Sequence, residues 1–347
     1  MNTPMLGLLL ASVLASTPTT VSAVETEANL HMTRMVASLR ASSSPRDQAL
    51  ATLLYTLQTY SDPREKAWRG PVLRRAAADA PNDRLVQWLW AVATPGMSGC
   101  DAAHPCPERP MALARLEPDN VTAWTPAGQE AWKQHDDAAL DLLIENMAGA
   151  TYNDELFVDA AVALNEVYKR YPIPATLMAA RAATQTSEYG LAAEMDPESA
   201  GMISAIAIAA AIALPSMGVM QACDKAKNPR AASTRFESCA RVGRTTLTKG
   251  RTYWSISMGT LVLKRSGNIN ADDIALIRKL RWRSQQAITL SKDFQSNVAG
   301  FREYFADLES TRSELRAQDL QLHRAGISMT PPEGWMPKDL AELKPGG

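Results

Sequence analysis

"LEPDNVTAWTPAGQEAWKQHDDAALDLL", residues Leu116–Leu143, is the stretch on which the fold reading turns. Two apolar-periodic runs flank the polar segment Lys133–Asp137. Pro118 closes the helix before it, because proline has no N–H to continue one. His135, Asp136 and Asp137 fall at the turn between the two runs, where an aspartate serves as the N-cap of the second. A histidine beside carboxylates can act as a general base, but capping accounts for the two aspartates without chemistry. The stretch reads as one helical hairpin of something built by repetition.

The same helical spacing extends in both directions. Leu50, Leu53, Leu54 and Leu57 follow the i, i+3, i+4, i+7 pattern after Pro45, a residue suited to a first helical turn. Trp68, Val72, Leu73 and Ala76 continue it, with Gly70-Pro71 expected to kink or break that segment. Leu85, Trp88, Leu89 and Val92 form a third face, and Leu156, Ala160, Ala163, Leu164 and Val167 another. The punctuation repeats as well. "ADAPND" (78–83), "RLEPDN" (115–120) and "KRYPIP" (169–174) each end a helix with a proline, and Pro81 and Pro118 stand 37 residues apart. Internal similarity at that interval marks stacked helical pairs. Period-2 alternation is nearly absent, so the fold class is all-α.

The quoted stretch resembles the tetratricopeptide repeat family. Pro118, Trp124 and Gly128 keep that family's spacing, and Ala139 and Leu143 stand as the small and large packing residues of its second helix. The departures are a one-residue excess before the second helix, Ala131 where tyrosine is usual, and Asn146 where alanine is usual. Pro126 falls inside the family's first helix; alternatively Thr125 caps the helix and Pro126 opens it. The resemblance is confined mainly to residues 115–148. It implies stacked antiparallel hairpins forming a superhelix, a protein or peptide partner, and a partner-binding first-helix face near Gln129 and Lys133. The insert Pro95–Pro110 would sit between two helices of one hairpin. Divergence of the other units is expected, since each needs only an apolar seam with its neighbour.

The N-terminal stretch "MNTPMLGLLLASVLASTPTTVSAVE" is apolar or small from Met5 to Ser16 and carries the small-x-small pattern Val21-Ser22-Ala23. It reads as a secretory signal cleaved after Ala23, giving a periplasmic or secreted protein. The four cysteines fit an oxidising compartment. Of the three possible pairings the local ones are expected, Cys100 with Cys106 and Cys223 with Cys239. The expected divisions are a signal peptide (1–23), a repeat region (24–195), a C-terminal helical domain (196–325) and a loosely ordered tail (326–347) that packs through Trp335.

A composition of 46% hydrophobic and 21% charged residues over 347 is that of a globular chain. The uncharged run 201–223 is long enough to suggest a membrane span. Its small residues, Pro215 and Gly218 favour a buried helix ending near Pro215. Helical runs are expected at 233–247, 251–265, 271–290 and 293–318. Net charge is only −1, but it is unevenly spread. Residues 117–198 carry 15 acidic against 4 basic groups, and residues 223–251 carry 8 basic against 2 acidic. Complementary faces of one molecule are the plain reading. Nucleic acid does not fit an exported protein; anionic envelope lipid is a lesser alternative.

No HExxH, GxSxG, phosphate loop or dinucleotide turn is present, and no catalytic residue, cofactor or metal site is assigned. "CDAAHPC" places Cys100, His104 and Cys106 together, but zinc needs four ligands, or three and water. In "KLRWRSQQ" (279–286) Trp282 is expected inward, with Arg281 and Arg283 outward. The sequence thus points to an exported helical-repeat scaffold. The alternative is an envelope enzyme or ligand-binding protein with a site between the acidic repeats and the basic half. Glu130 or Asp159 would then face Arg241 or Arg244.

Overall fold

The computed structural model describes residues 18–56, 67–93, 98–100, 104–179, 196–212, 217–294, 298–337 and 340. Its helices, in chain order, are α1 (Pro18–Ala41), α2 (Pro45–Thr56), α3 (Arg69–Asp79), α4 (Arg84–Val92), α5 (Ala112–Leu116), α6 (Thr125–Lys133), α7 (Asp137–Gly149) and α8 (Phe157–Arg170). They continue as α9 (Pro197–Ile212), α10 (Met217–Ala222), α11 (Ser233–Lys249), α12 (Tyr253–Ser266), α13 (Ala271–Phe294), α14 (Val298–Thr311) and α15 (Glu314–Arg324). Among the described residues the only strand-like pairings are two isolated parallel bridges, Asn120 with Tyr152 and Asn153 with Gly250. The chain is all-α. The expected signal segment falls mostly outside the described residues, as do Leu57, Pro215 and the last seven residues of the tail. No described helix is long and apolar enough to cross a membrane.

The chain forms two compact units, and each is assembled from three separate stretches. Unit 1 comprises Met1–Pro105, Asp159–Ile212 and Lys292–Glu303; unit 2 comprises Cys106–Val158, Ala213–Ser291 and Tyr304–Gly347.

In unit 1, α1 packs on α2, and α2 on both α3 and α4. Met35, Leu39, Leu50, Leu54, Leu73 and Leu85 are fully buried there. Burying each such side chain contributes roughly 1.5–3 kcal/mol. Asp83 caps α4, accepting from the N–H groups of Leu85 (3.1 Å) and Val86 (3.2 Å). Gln87 closes the α3–α4 turn by donating to the carbonyls of Ala77 (2.8 Å) and Ala80 (3.0 Å). Gly70-Pro71 does not break a helix; α3 begins there, with the proline in the first turn, where no N–H is needed. Val92 is exposed, so the third apolar face ends at Leu89.

In unit 2, α6 and α7 form the hairpin of the opening stretch, α10 lies on α6, and α7 packs on α11. α11 and α12 pack closely through paired glycines: a Cβ on Gly259 would stand 2.7 Å from the carbonyl oxygen of Gly243. The Cys223–Cys239 disulfide joins the end of α10 to α11, with Cα atoms 5.7 Å apart. Cys100 and Cys106 are also disulfide-bonded, and no cysteine is free. The expected single run 293–318 is two helices. Arg312 takes a left-handed conformation (φ 52°), and Ser313 caps α15. The tail packs as expected through Trp335, which meets Trp282 edge-on at 5.2 Å.

Candidate functional site

The repeat-signature residues meet in the α6–α7 hairpin. Trp124 donates its indole N–H to the carbonyl of Pro118 at 2.8 Å, so the first two residues of the family spacing touch. Gly128 lies where α10 approaches: a Cβ there would stand 2.6 Å from Val219 Cγ2. Ala139 and Leu143 pack against the buried cluster of Leu140, Ile144 and Met147. The turn is built as the sequence suggests, with Asp136 accepting from the N–H of Ala139 and His135 exposed at φ 55°. α6 starts at Thr125 behind a 3-10 turn, so Pro126 sits in its first turn. Of the two residues expected on the partner face, Lys133 is exposed. Gln129 accepts a hydrogen bond from the N–H of Gly218 (2.8 Å) and so holds α10.

The charge asymmetry has a physical counterpart inside unit 2. Arg235 of α11, buried, is bonded to Asp137 and Asp141 of α7. Arg244 pairs with Asp273 at 2.9 Å. Glu130 accepts from Gln134, and in unit 1 Asp159 pairs with Arg84. Arg281 and Arg283 do not simply face solvent. Arg281 donates to Tyr253 Oη and Ser257, and Arg283 bonds Asp319. Trp282 is half-buried and donates to the carbonyl of Ser328. Among the described residues no group of three or more His, Cys, Asp or Glu is arranged to hold a metal.

A buried polar knot in unit 2 was not singled out from the sequence. The segment Tyr152–Leu156 threads between the turn at Asn120 and the loop before α12. Asn120 clamps it: its Oδ1 accepts from Asp154 N–H (2.9 Å), and its Nδ2 donates to Asp154 O (3.0 Å). Thr122 donates to Asn153 Oδ1 at 2.9 Å. Asp154 takes Arg251 at 2.8 Å, and Arg251 also lies 6.0 Å from the ring centroid of Tyr152. At the centre is Glu155. Its Oε1 accepts from Asn153 Nδ2 (2.6 Å) and from Ser255 Oγ, while its Oε2 is buried with no partner among the described residues. Ser255 and Thr252 form a capping box at the start of α12. Burial, joined by the repulsion of Asp154, pushes the Glu155 carboxyl up to about 7, against the hydrogen bonds from Ser255, its own backbone N–H and Thr252. Glu314, bonded by Tyr253 N–H at 2.7 Å, is also raised, again chiefly by burial. The capping box is a local signal for Thr252 and Ser255; nothing local marks Glu155.

Unit 1 carries an open cleft of about 380 Å³ beside α8 and the start of α9. Asn165, Tyr168, Lys169, Pro172, Asp196, Pro197 and Glu198 line it. The two helices touch where Gly201 meets Tyr168: a Cβ on Gly201 would stand 2.8 Å from Tyr168 Cβ. Asp196 caps α9 through the N–H and hydroxyl of Ser199 (both 3.0 Å) and takes Arg302 at 2.7 Å. Burial would raise its carboxyl, but these bonds outweigh that and hold it below the usual range. Asn165, which also lines the cleft, is 2% exposed. An amide inside the apolar stripe Ala161, Leu164, Tyr168 is the sequence signal that could have found it. Comparison with known proteins finds no matching family model, no matching curated protein and no matching solved structure.

Proposed function

We propose that this chain is a divergent helical-repeat scaffold of tetratricopeptide type, exported to the periplasm or medium, that binds a protein or peptide partner. The observation that carries the reading is the α6–α7 hairpin. Pro118, Trp124, Gly128, Ala139 and Leu143 serve there as contacts of its seam. The fully oxidised cysteines support an oxidising compartment and hence export. Lys133, exposed at the end of α6, offers a contact that can change without disturbing the core.

The test is in-cell crosslinking of the full chain with a photoreactive residue in place of Lys133, and with one in place of the exposed Glu237 as a control. The expected result is one dominant polypeptide captured from position 133 and absent from position 237, then weakened by Lys133→Glu when the label is moved to Gln134. Equal, diffuse capture at all positions would overturn the scaffold reading. N-terminal sequencing of the mature protein tests export, with Val24 as the expected first residue.

A further inference from the structure

We infer that the face of α13 carrying Arg278 and Trp282 is a seat for a peptide with a proline–glycine turn followed by an aromatic residue, and that the chain's own segment Ser328–Pro337 fills it as an autoinhibitory ligand. α15 ends in a Schellman cap: Ile327 N–H donates to the carbonyl of Leu322 at 2.9 Å, and Gly326 takes φ 66°. From that glycine the stretch "SMTPPEGWMP" runs over α13 with no helix or strand of its own. Its prolines at 331, 332 and 337 lack the N–H that either would use. Trp335 N–H instead closes a turn on the carbonyl of Pro332 at 3.2 Å. Gly334, at φ 73°, supplies the positive φ that the third residue of such a turn requires.

α13 holds this segment as a receptor holds a peptide. The Arg278 guanidinium forks onto the carbonyls of Pro332 and Trp335, the two ends of the turn. Trp282 donates its indole N–H to the carbonyl of Ser328 at 2.9 Å and meets the Trp335 ring edge-on. Arg278 and Trp282 stand four residues apart and so share one face of the helix. Each of these hydrogen bonds goes to a main-chain oxygen. The seat therefore reads one ring and the path of the backbone, which the prolines and the glycine preset. Aromatic-lined grooves take proline-rich segments for the same reason, since a preset chain loses little entropy on docking.

The segment is held at its surface. Pro332, Glu333, Gly334 and Met336 are exposed, as are the bonds to Ser328 and Pro332. Met329 is exposed too, so neither methionine is turned into α13. Leu340, in the buried cluster of Leu263 and Ile277, is the deeper anchor. A stretch with so few buried contacts opens at low free-energy cost, and its tether returns it at an effective concentration of about millimolar. A partner segment of the same chemistry must displace it.

The probe is a fluorescein-labelled peptide of residues 327–340, added in trans to the full chain and followed by anisotropy. The wild type should bind it weakly, because its own tail holds the seat. Trp335→Ala in the full chain loosens that tail and should raise affinity for the probe at least about tenfold, the scale of one tryptophan anchor. Adding Arg278→Met to that variant should reverse the gain, as should a probe with alanine in place of Trp335. Trp282→Phe, which keeps a ring and removes the indole donor, makes the same comparison where circular dichroism shows the Arg278→Met protein unfolded. The inference is overturned if Trp335→Ala binds the probe no better than the wild type, if the gain survives the substitution in α13, or if the alanine probe binds as well as its parent. A wild-type dimer in sedimentation that Trp335→Ala dissolves would put a second copy's tail in the seat and overturn autoinhibition in cis. The α6 face is tested separately: capture from position 133 with no probe binding here would sink this inference alone, and probe binding with diffuse capture would sink the scaffold reading alone.

Discussion

Replacing Glu155 by glutamine tests whether the knot of unit 2 holds a proton at neutral pH. The folded protein keeps this carboxyl protonated up to about pH 7, whereas in the unfolded chain it ionises near its ordinary value of 4.5. The group is raised on folding, so its contribution is fully present below 4.5 and is lost as pH rises through 7. In that window the unfolded state binds fewer protons, and stability falls with pH by at most about 1.4 kcal/mol per unit for one group. The whole interval amounts to roughly 3 kcal/mol, a large share of a typical domain's stability. Glutamine keeps an acceptor for Asn153 and Ser255 and cannot ionise. Its added NH2 takes the place of the unpartnered Oε2 and costs about 1–3 kcal/mol at every pH. The variant should therefore be the weaker protein near pH 5 and no weaker, or stronger, near pH 8. The assay is urea denaturation at a series of pH values, each followed by a brief hydrogen-exchange pulse at one common pH. Mass spectrometry of peptides spanning 150–157 and 250–256 reports unit 2 alone. Glu314 is raised in the same direction, so Glu155→Gln should flatten the slope without abolishing it. A wild-type slope that persists unchanged in the variant would refute the argument.

Three further outcomes are expected in unit 2. Gly259→Ala should destabilise it by about 1–3 kcal/mol, since the new methyl meets the Gly243 carbonyl at 2.7 Å and α11 and α12 must part; an unchanged urea midpoint would show that the helices can give way. The Arg235 pair should respond asymmetrically, because its side chain is 3% exposed while those of Asp137 and Asp141 are 80% and 46% exposed. Arg235→Met releases two carboxylates to water and should cost little, whereas Asp137→Asn with Asp141→Asn strands a buried cation and should cost about 3–5 kcal/mol in the same denaturation assay. Opening the Cys223–Cys239 bond by Cys→Ser at both positions removes a bridge between residues 16 apart and should cost about 3 kcal/mol, read as a lower melting temperature.

What the sequence made legible was what neighbours determine. Asp83 and Asp136 cap helices because an aspartate before an apolar run can reach the next N–H groups, and that geometry spans only three residues. The apolar faces at Leu50, Leu73 and Leu85 were readable for the same reason. The failures share the opposite cause. Nothing in 293–318 marks a stop, because Ser313 is held by the carbonyl of Arg251, 62 positions away. "YNDEL" has the polarity of an exposed turn, yet Asn153, Asp154 and Glu155 are all buried. Their partners lie 34 positions back at Asn120 and about 100 forward at Arg251 and Ser255. Such a segment can be buried only if other parts of the chain supply donors and acceptors for each polar atom, and here one atom, Glu155 Oε2, goes without. A carboxylate in that position would be costly, so the fold instead keeps the proton, and the group becomes sensitive to pH near neutrality. That sensitivity belongs to the meeting of three distant segments, which is why no local pattern around Glu155 could announce it.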